Sequence, residues 1–174
     1  MSKIILKNVR ISFPSLFKKG SFNGEETKYE STFLLDKVEH ADSITEIKAQ
    51  IADLVKSNLK GSKVPADKIC LRDGDEVEYD GYAGCYSIKC STKKRPIVID
   101  RDRSPLTEDD GKPYGGCYVN ASIDLWVQNN AYGKRINSTL LAVQFAKDGE
   151  PFADGSTGDI NDFDMITDDD DMFA

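Results

Sequence analysis

Cations and flat rings recur side by side along this chain. Phe17-Lys18-Lys19 is followed by Phe22, and Tyr82 and Tyr86 stand near Lys89. Lys93-Lys94-Arg95, Arg101 and Arg103 come next, then Tyr114 and Tyr118, and Tyr132 precedes Lys134-Arg135. Such groupings suit one chemistry. A cationic side chain neutralises a phosphate, and an exposed ring stacks on a base. Single-stranded nucleic acid offers both targets at once, because its bases are not paired away. Little base discrimination is expected, since every base has a face to stack on. The candidate contacts are Phe17, Lys18, Lys19, Tyr82, Tyr86, Lys89, Lys93, Lys94, Arg95, Arg101, Tyr114, Tyr132, Lys134 and Arg135. For Tyr82, Tyr86, Tyr114 and Tyr132, each near Gly or Lys, stacking and ordinary packing stand as equal alternatives. Trp126, Phe33 and Phe145 lie mid-strand among apolar neighbours, and for them core packing is the expectation.

Catalytic signatures are thin. The chain has no P-loop, no G-x-G-x-x-G, no H-E-x-x-H and no G-x-S-x-G. A single histidine, His40, leaves little scope for a Ser-His-Asp arrangement or a His-rich metal centre. Cys70, Cys85, Cys90 and Cys117 include no C-x-x-C pair, so neither a zinc site nor another cofactor is expected. Cys85 and Cys90 would point to opposite faces of one strand. Free buried thiols in a reducing compartment are the simplest reading. Carboxylates are numerous. Asp100 with Asp102, and Glu76 with Glu78 and Asp80, share strand-like parity, which keeps a metal-dependent nuclease as an alternative. A non-enzymatic binder is the leading expectation.

The formal charge of −7 is unevenly spread. From Asp148 onward there are ten acidic residues and no basic ones, so residues 1–147 hold 23 basic against 20 acidic side chains, a net +3. The chain ends Asp168-Asp169-Asp170-Asp171-Met172-Phe173-Ala174, an acidic run with a ring near its tip. Acidic termini commonly serve solubility alone, and Gly155-Ser156-Thr157-Gly158 reads as a flexible linker. A purely solvating tail, however, has no use for Phe163, Met165, Ile166, Met172 and Phe173. Apolar residues set among carboxylates suit a short motif that docks on a basic, partly apolar groove. The tail is therefore expected to compete with nucleic acid for the body and to hold partner proteins, with Asp168, Asp169, Asp170, Asp171 and Phe173 as its handle. An acidic interaction module or DNA mimic is the rival reading. It requires an acidic body, and this body is net positive.

The scaffold that must carry these groups fits one domain over 1–152 with a flexible tail over 153–174. No stretch approaches the roughly 18 apolar residues of a membrane span. The N-terminal apolar run is too short for a signal peptide, which predicts a cytoplasmic protein. Residues 3–13 predict a strand stopped by Pro14, with Val9, Ile11 and Phe13 on one face and Leu6 offset. Residues 28–36 predict a second strand antiparallel to it. A helix is expected over 43–58, opened by a Ser43–Glu46 capping box and striped by Ile44, Ile47, Ile51, Leu54 and Val55. It should end at Gly61, and residues 60–82 are polar and turn-rich. Further strands are expected over 85–91, 97–99, 117–127 and 135–145, the last two joined by a hairpin turn at 129–133. Five or six strands with one inserted helix predict a mainly β protein, an OB-type antiparallel barrel.

Six segments carry a wider resemblance. They are Arg10-Ile11-Ser12-Phe13-Pro14-Ser15-Leu16-Phe17, Tyr79-Asp80-Gly81-Tyr82-Ala83-Gly84, Ser91-Thr92-Lys93-Lys94-Arg95-Pro96, Asp100-Arg101-Asp102-Arg103-Ser104-Pro105-Leu106, Gly116-Cys117-Tyr118-Val119-Asn120-Ala121 and Asn130-Ala131-Tyr132-Gly133-Lys134-Arg135-Ile136-Asn137. In this order, over about residues 3–152, the chain resembles tailed-bacteriophage single-stranded DNA-binding proteins. The resemblance implies an OB fold and sequence-independent binding of single-stranded DNA in phage replication and recombination. It also implies an acidic tail that recruits replication partners, and a place in the host cytoplasm. Related phage proteins often end on the aromatic residue, whereas this chain adds Ala174 after Phe173. Which rings stack does not follow from the resemblance. Oligomeric state is left open, a homodimer included.

Overall fold

The computed structural model describes residues 3–19, 21–22, 25–26, 28–60, 63–77, 79, 81–131 and 133–152. Tyr132, Glu78, Asp80, Gly61 and the acidic tail with Asp168–Asp171 and Phe173 lie outside the described residues. In chain order the strands are β1 (Lys3–Ser15), β2 (Ser21–Phe22), β3 (Glu25–Glu26) and β4 (Tyr29–Asp36), followed by α1 (Ala41–Asn58). Then come β5 (Leu71–Asp73), β6 (Cys85–Thr92), β7 (Ile97–Ile99), β8 (Tyr118–Asn130) and β9 (Gly133–Lys147).

Five strands close into a ring in the order β1, β4, β6, β9, β8 and back to β1. Every contact in the ring is antiparallel except β6 with β9, which is parallel at Ser91 and Thr139. β5 extends the sheet beside β6, and β7 lies parallel to β9. With α1 inserted between the second and third ring strands, this is the expected OB-type barrel. The expected hairpin forms too, with Asn130 paired to Gly133. Three short strands, β2, β3 and β5, were not foreseen. They are two or three residues long, too short for alternation to show.

β1 departs from its expected course. It runs on through Pro14 to Ser15, and its register breaks twice. Against β8 the shift falls between Leu6 and Val9, where Asn8 has φ 53°. Against β4 it falls between Ser12 and Ser15, where Phe13 has φ 49°. An extra residue in one strand turns the following side chains to the other face. The first bulge lets Leu6 and Val9 both be buried despite their odd spacing. The second takes Phe13 off the core face, where alternation had placed it, and leaves it 43% exposed while Ser12 is buried.

The helix begins earlier than expected. His40 is its N-cap without a side-chain cap, and Ser43 and Glu46 lie inside the helix, so the Ser43–Glu46 capping box does not form. The entry is built by Asp36 instead. Its Oδ1 accepts from the N–H groups of Val38 and Glu39 at 2.8 and 2.9 Å, and its own N–H donates to His40 Nδ1 at 3.0 Å. The stripe itself packs as read: Ile44 and Ile47 are buried, and Ile51 and Leu54 pack against the core. Phe33 and Phe145 are buried as expected, but Trp126 is 38% exposed. In the run Leu125-Trp126-Val127, Leu125 has the inward parity of β8, so Trp126 faces out. All four cysteines are free thiols, with Cys90 and Cys117 buried. Among the described residues no helix is long and apolar enough to cross a membrane.

Candidate nucleic-acid interface

A groove of about 630 Å³ crosses the outside of β4 and β6. Phe33, Leu35, Ile88 and Cys90 point inward and are buried. The alternate set, Glu30 and Thr32 on β4 with Ser87, Lys89 and Ser91 on β6, lines the groove. One wall comes from the 3₁₀ turn Ala66–Lys68 and from β5, and another from the start of β9. Five basic residues, Lys28, Lys68, Arg72, Lys89 and Arg135, line it against two acidic ones, Glu30 and Asp67. Lys89 meets Glu30 at only 3.7 Å, both exposed, a weak pair that a phosphate can displace. Arg72 Nη2 donates to the Asp67 carbonyl at 2.5 Å.

Three rings form one end of the groove. Phe13 meets Tyr79 edge-on with centroids 5.2 Å apart, and Tyr79 meets Tyr82 at 5.2 Å with a tilt of 57°. Tyr79 is 52% exposed. Tyr82 is 4% exposed, and its hydroxyl donates to Ser12 Oγ at 3.0 Å. Tyr82 thus backs the cluster, while Phe13 and Tyr79 are exposed. The positive φ of Phe13 is a costly backbone state for a bulky residue, and such strain concentrates at ligand-binding positions. On the groove floor, Ser31 Oγ is buried with no hydrogen-bond partner among the described residues. Cys70 also lines the groove, and burial pushes its thiol up to about 12, so it stays neutral at physiological pH.

Residues 2–173 match the family described as Enterobacter phage Enc34, ssDNA-binding protein. The chain belongs to this family. Its match to the Enc34 family runs through the acidic tail as well as the barrel. The sequence is 41% identical over 175 residues to protein p50 of Acyrthosiphon pisum secondary endosymbiont phage 1, covering 95% of this chain and 94% of that one. The solved single-stranded DNA-binding protein from bacteriophage Enc34 is 35% identical, with a TM-score of 0.80 over 90% of this chain and 87% of that one. The same phage protein solved in complex with ssDNA is 36% identical, with a TM-score of 0.78 over 86% of this chain and 89% of that one.

In this Enc34-family chain, the groove gathers only part of the set expected from sequence. Tyr82, Lys89 and Arg135 line it. Phe17, Lys18 and Lys19 line a second, smaller cleft with Glu108 and Lys112, and Lys18 pairs with Glu108 at 3.2 Å. Arg95 does not line this cleft, but its guanidinium stands 5.9 Å from the Phe17 ring centre. Lys93 and Lys94 are exposed in the turn after β6, and Arg101 is exposed in the turn before Ser104. Lys134 is half-buried on β9. Tyr86 belongs to the inward set of β6 and packs against the core. Its hydroxyl accepts from Lys48 Nζ at 2.7 Å, on the helix side and away from the groove. Tyr114 is engaged in packing: its hydroxyl donates to Asp148 Oδ1 at 2.7 Å, and burial first, then Asp148, raises its pKa.

Two of the carboxylates singled out for metal chemistry, Asp100 and Asp102, do structural work. Asp100 is bonded by the Arg101 N–H and meets Lys112 at 3.1 Å, and both hold its pKa below the usual range. Asp102 is lowered by the Ser104 hydroxyl and N–H, at 2.6 and 3.0 Å. Among the described residues no three His, Cys, Asp or Glu side chains converge as a metal site would require.

Sequence reasoning missed Phe13, Lys28, Lys68, Arg72 and Tyr79. One signal for Tyr79 was available. It stands in the turn-rich Tyr79-Asp80-Gly81-Tyr82, where an aromatic ring has no strand to carry it into a core. Phe13 had no such signal, because only the bulge exposes it.

Proposed function

We propose that this protein binds single-stranded DNA without regard to sequence, in the groove over β4 and β6. The observation that carries the proposal is the meeting, in one groove, of five cations against two carboxylates with the exposed rings of Phe13 and Tyr79. Cations track the phosphates, and the rings stack on bases and set little preference among them. The outer face of the second and third strands is where OB barrels take oligonucleotides, which supports the same groove. The related Enc34 phage protein in complex with ssDNA supports the choice of ligand. Protection of single strands in phage DNA replication and recombination is the corresponding role. The second cleft, with Phe17, Lys18 and Lys19 and with Arg95 beside the Phe17 ring, would carry a longer strand onward. The test is a salt series of titrations with poly-dT and with duplex DNA. Poly-dT should bind far more tightly, and log K should fall with log salt by about 0.7 for each phosphate neutralised. Equal binding of both forms, or binding that ignores salt, would refute the proposal.

The acidic tail is proposed to compete with DNA for this groove and, once displaced, to hold replication or recombination proteins through Asp168–Asp171 and Phe173. Its support is the change of sign at Asp148 and the ring near the acidic tip. A tether supplies a local concentration on the order of millimolar, enough for a weak competitor to act. Deleting residues 154–174 should therefore tighten DNA binding, most at low salt where charges are least screened. Identical affinities of full-length and truncated protein at both low and high salt would reduce the tail to a partner tag or a solubility device.

A further inference from the structure

The end of the described chain is strapped to the barrel beside the groove rings. Arg10 on β1 donates from Nε to the Gly116 carbonyl at 3.0 Å and from Nη2 to the Glu150 carbonyl at 2.6 Å. Its guanidinium lies over the Phe152 ring, 4.1 Å from the centre, and the Phe152 N–H donates to the Gly115 carbonyl at 3.0 Å. Both partners abut Gly81. A Cβ on Gly81 would lie 2.3 Å from Phe152 Cε1 and 3.3 Å from Arg10 Nη1, and the residue has φ +84°. Only glycine allows this approach. Gly81 stands between Tyr79 and Tyr82, and the Tyr82 N–H donates to the Tyr79 carbonyl at 3.3 Å. Behind this turn, Gly74 packs on the Tyr82 carbonyl so closely that a Cβ would lie 2.2 Å from the oxygen. The turn that carries the rings is held between Gly74 and the Arg10–Phe152 pair.

Resting on the reading of the groove as a single-stranded DNA site, we propose that Arg10 and Phe152 are positioning residues for base stacking. They touch no DNA themselves. They press on Gly81 and so hold Tyr79 against Phe13 and Tyr82 in the pose that receives a base. A binding group gains from such support because its geometry is set before the ligand arrives. The groove cations stand on other elements: Lys89 on β6, Arg72 on β5 and Arg135 on β9. Loss of the clamp therefore weakens the stacking part of binding and leaves the phosphate part alone.

The experiment uses the full chain and two oligonucleotides of one length, oligo-dT and an abasic strand with the same phosphates. The quantity is the ratio of the two affinities at each salt concentration. Competition by the tail lowers both affinities equally and cancels in that ratio. In Phe152→Ala the preference for oligo-dT should fall about fivefold, at the low end of what one stacked base contributes. Abasic binding and its salt slope should stay unchanged, and Phe152→Tyr should restore the ratio. Arg10→Met, on the other half of the clamp, should lower the ratio in the same way and decides the matter if Phe152→Ala does not fold. An unchanged ratio in the folded variants, or equal losses for both strands, would overturn the clamp while leaving the groove intact. A wild-type protein with no preference for oligo-dT over the abasic strand would overturn ring stacking and the clamp together.

Discussion

Replacing Arg72, Lys89 and Arg135 together with Ala should lower affinity for single-stranded DNA about a hundredfold near 0.1 M salt and flatten the salt slope by about two units. The size follows from counterion release. Each lost phosphate contact removes about 0.7 from the slope for single strands, and three such contacts account for the total. The loss should be the same for every base sequence, because these side chains meet the backbone. Fold is not at risk in this variant, since none of the three is buried and the Lys89–Glu30 ion pair is at the surface. The matching replacement of Lys93, Lys94 and Arg95 provides the contrast. Those residues stand in and after the turn that follows β6, outside the groove, and the effect there should be smaller. Titrations over a range of salt concentrations with circular dichroism as a folding check measure both. A full slope retained by the groove triple would move the DNA path off β4 and β6.

Loss of the Tyr79 ring should be the largest single-residue effect on binding. Tyr79→Ala should cost about 1–3 kcal/mol of DNA affinity, the usual worth of one stacked base, with the salt slope unchanged. Its melting temperature should stay near wild type, because the ring is 52% exposed. Tyr82→Ala should behave in the opposite way. That ring is 4% exposed and its hydroxyl is bonded to Ser12, so its loss opens a cavity and leaves a buried hydroxyl short of a partner. A stability loss of about 3 kcal/mol or more is expected, on the scale of other buried rings. Thermal melts and oligo-dT titrations on both variants separate the roles. If Tyr79→Ala binds normally while Tyr82→Ala, where folded, binds poorly, the stacking platform is Tyr82 and the assignment is reversed.

The two rings show how far residue pattern carries and where it stops. Tyr82 was readable as a ring near glycine, and both stacking and packing fitted that description. The fold buries the ring at 4% exposure and ties its hydroxyl to Ser12 on β1, which favours packing. Tyr86 had the same local description, yet the parity of β6 turns it to the helix side, where Lys37 and Lys48 lie over its ring. Lys93, Lys94 and Arg95 form the densest basic run among the candidates. Density in sequence did not put them in the groove, because the chain turns away from it at the end of β6.

By itself the sequence determined what depends on neighbours a few residues away. The apolar stripe of α1, the alternation of β6, β8 and β9, and the hairpin at Asn130–Gly133 are set by local periodicity and turn chemistry. The separation of charge between a net basic body and an acidic end is a property of composition and needs no fold. Tertiary structure alone decided the composition of the groove. Its walls come from β1, β4, β5, β6 and β9, and ring closure between β6 and β9 rests on one parallel bridge at Ser91 and Thr139. The bulge at Phe13 depends on how β1 must pair with β4 and β8 at once, a constraint that no window of β1 contains. A one-residue shift moves every later side chain across the sheet. For that reason Phe13 passed from expected core to exposed ring, and its meeting with Tyr79, which in turn meets Tyr82, was set only in the folded chain.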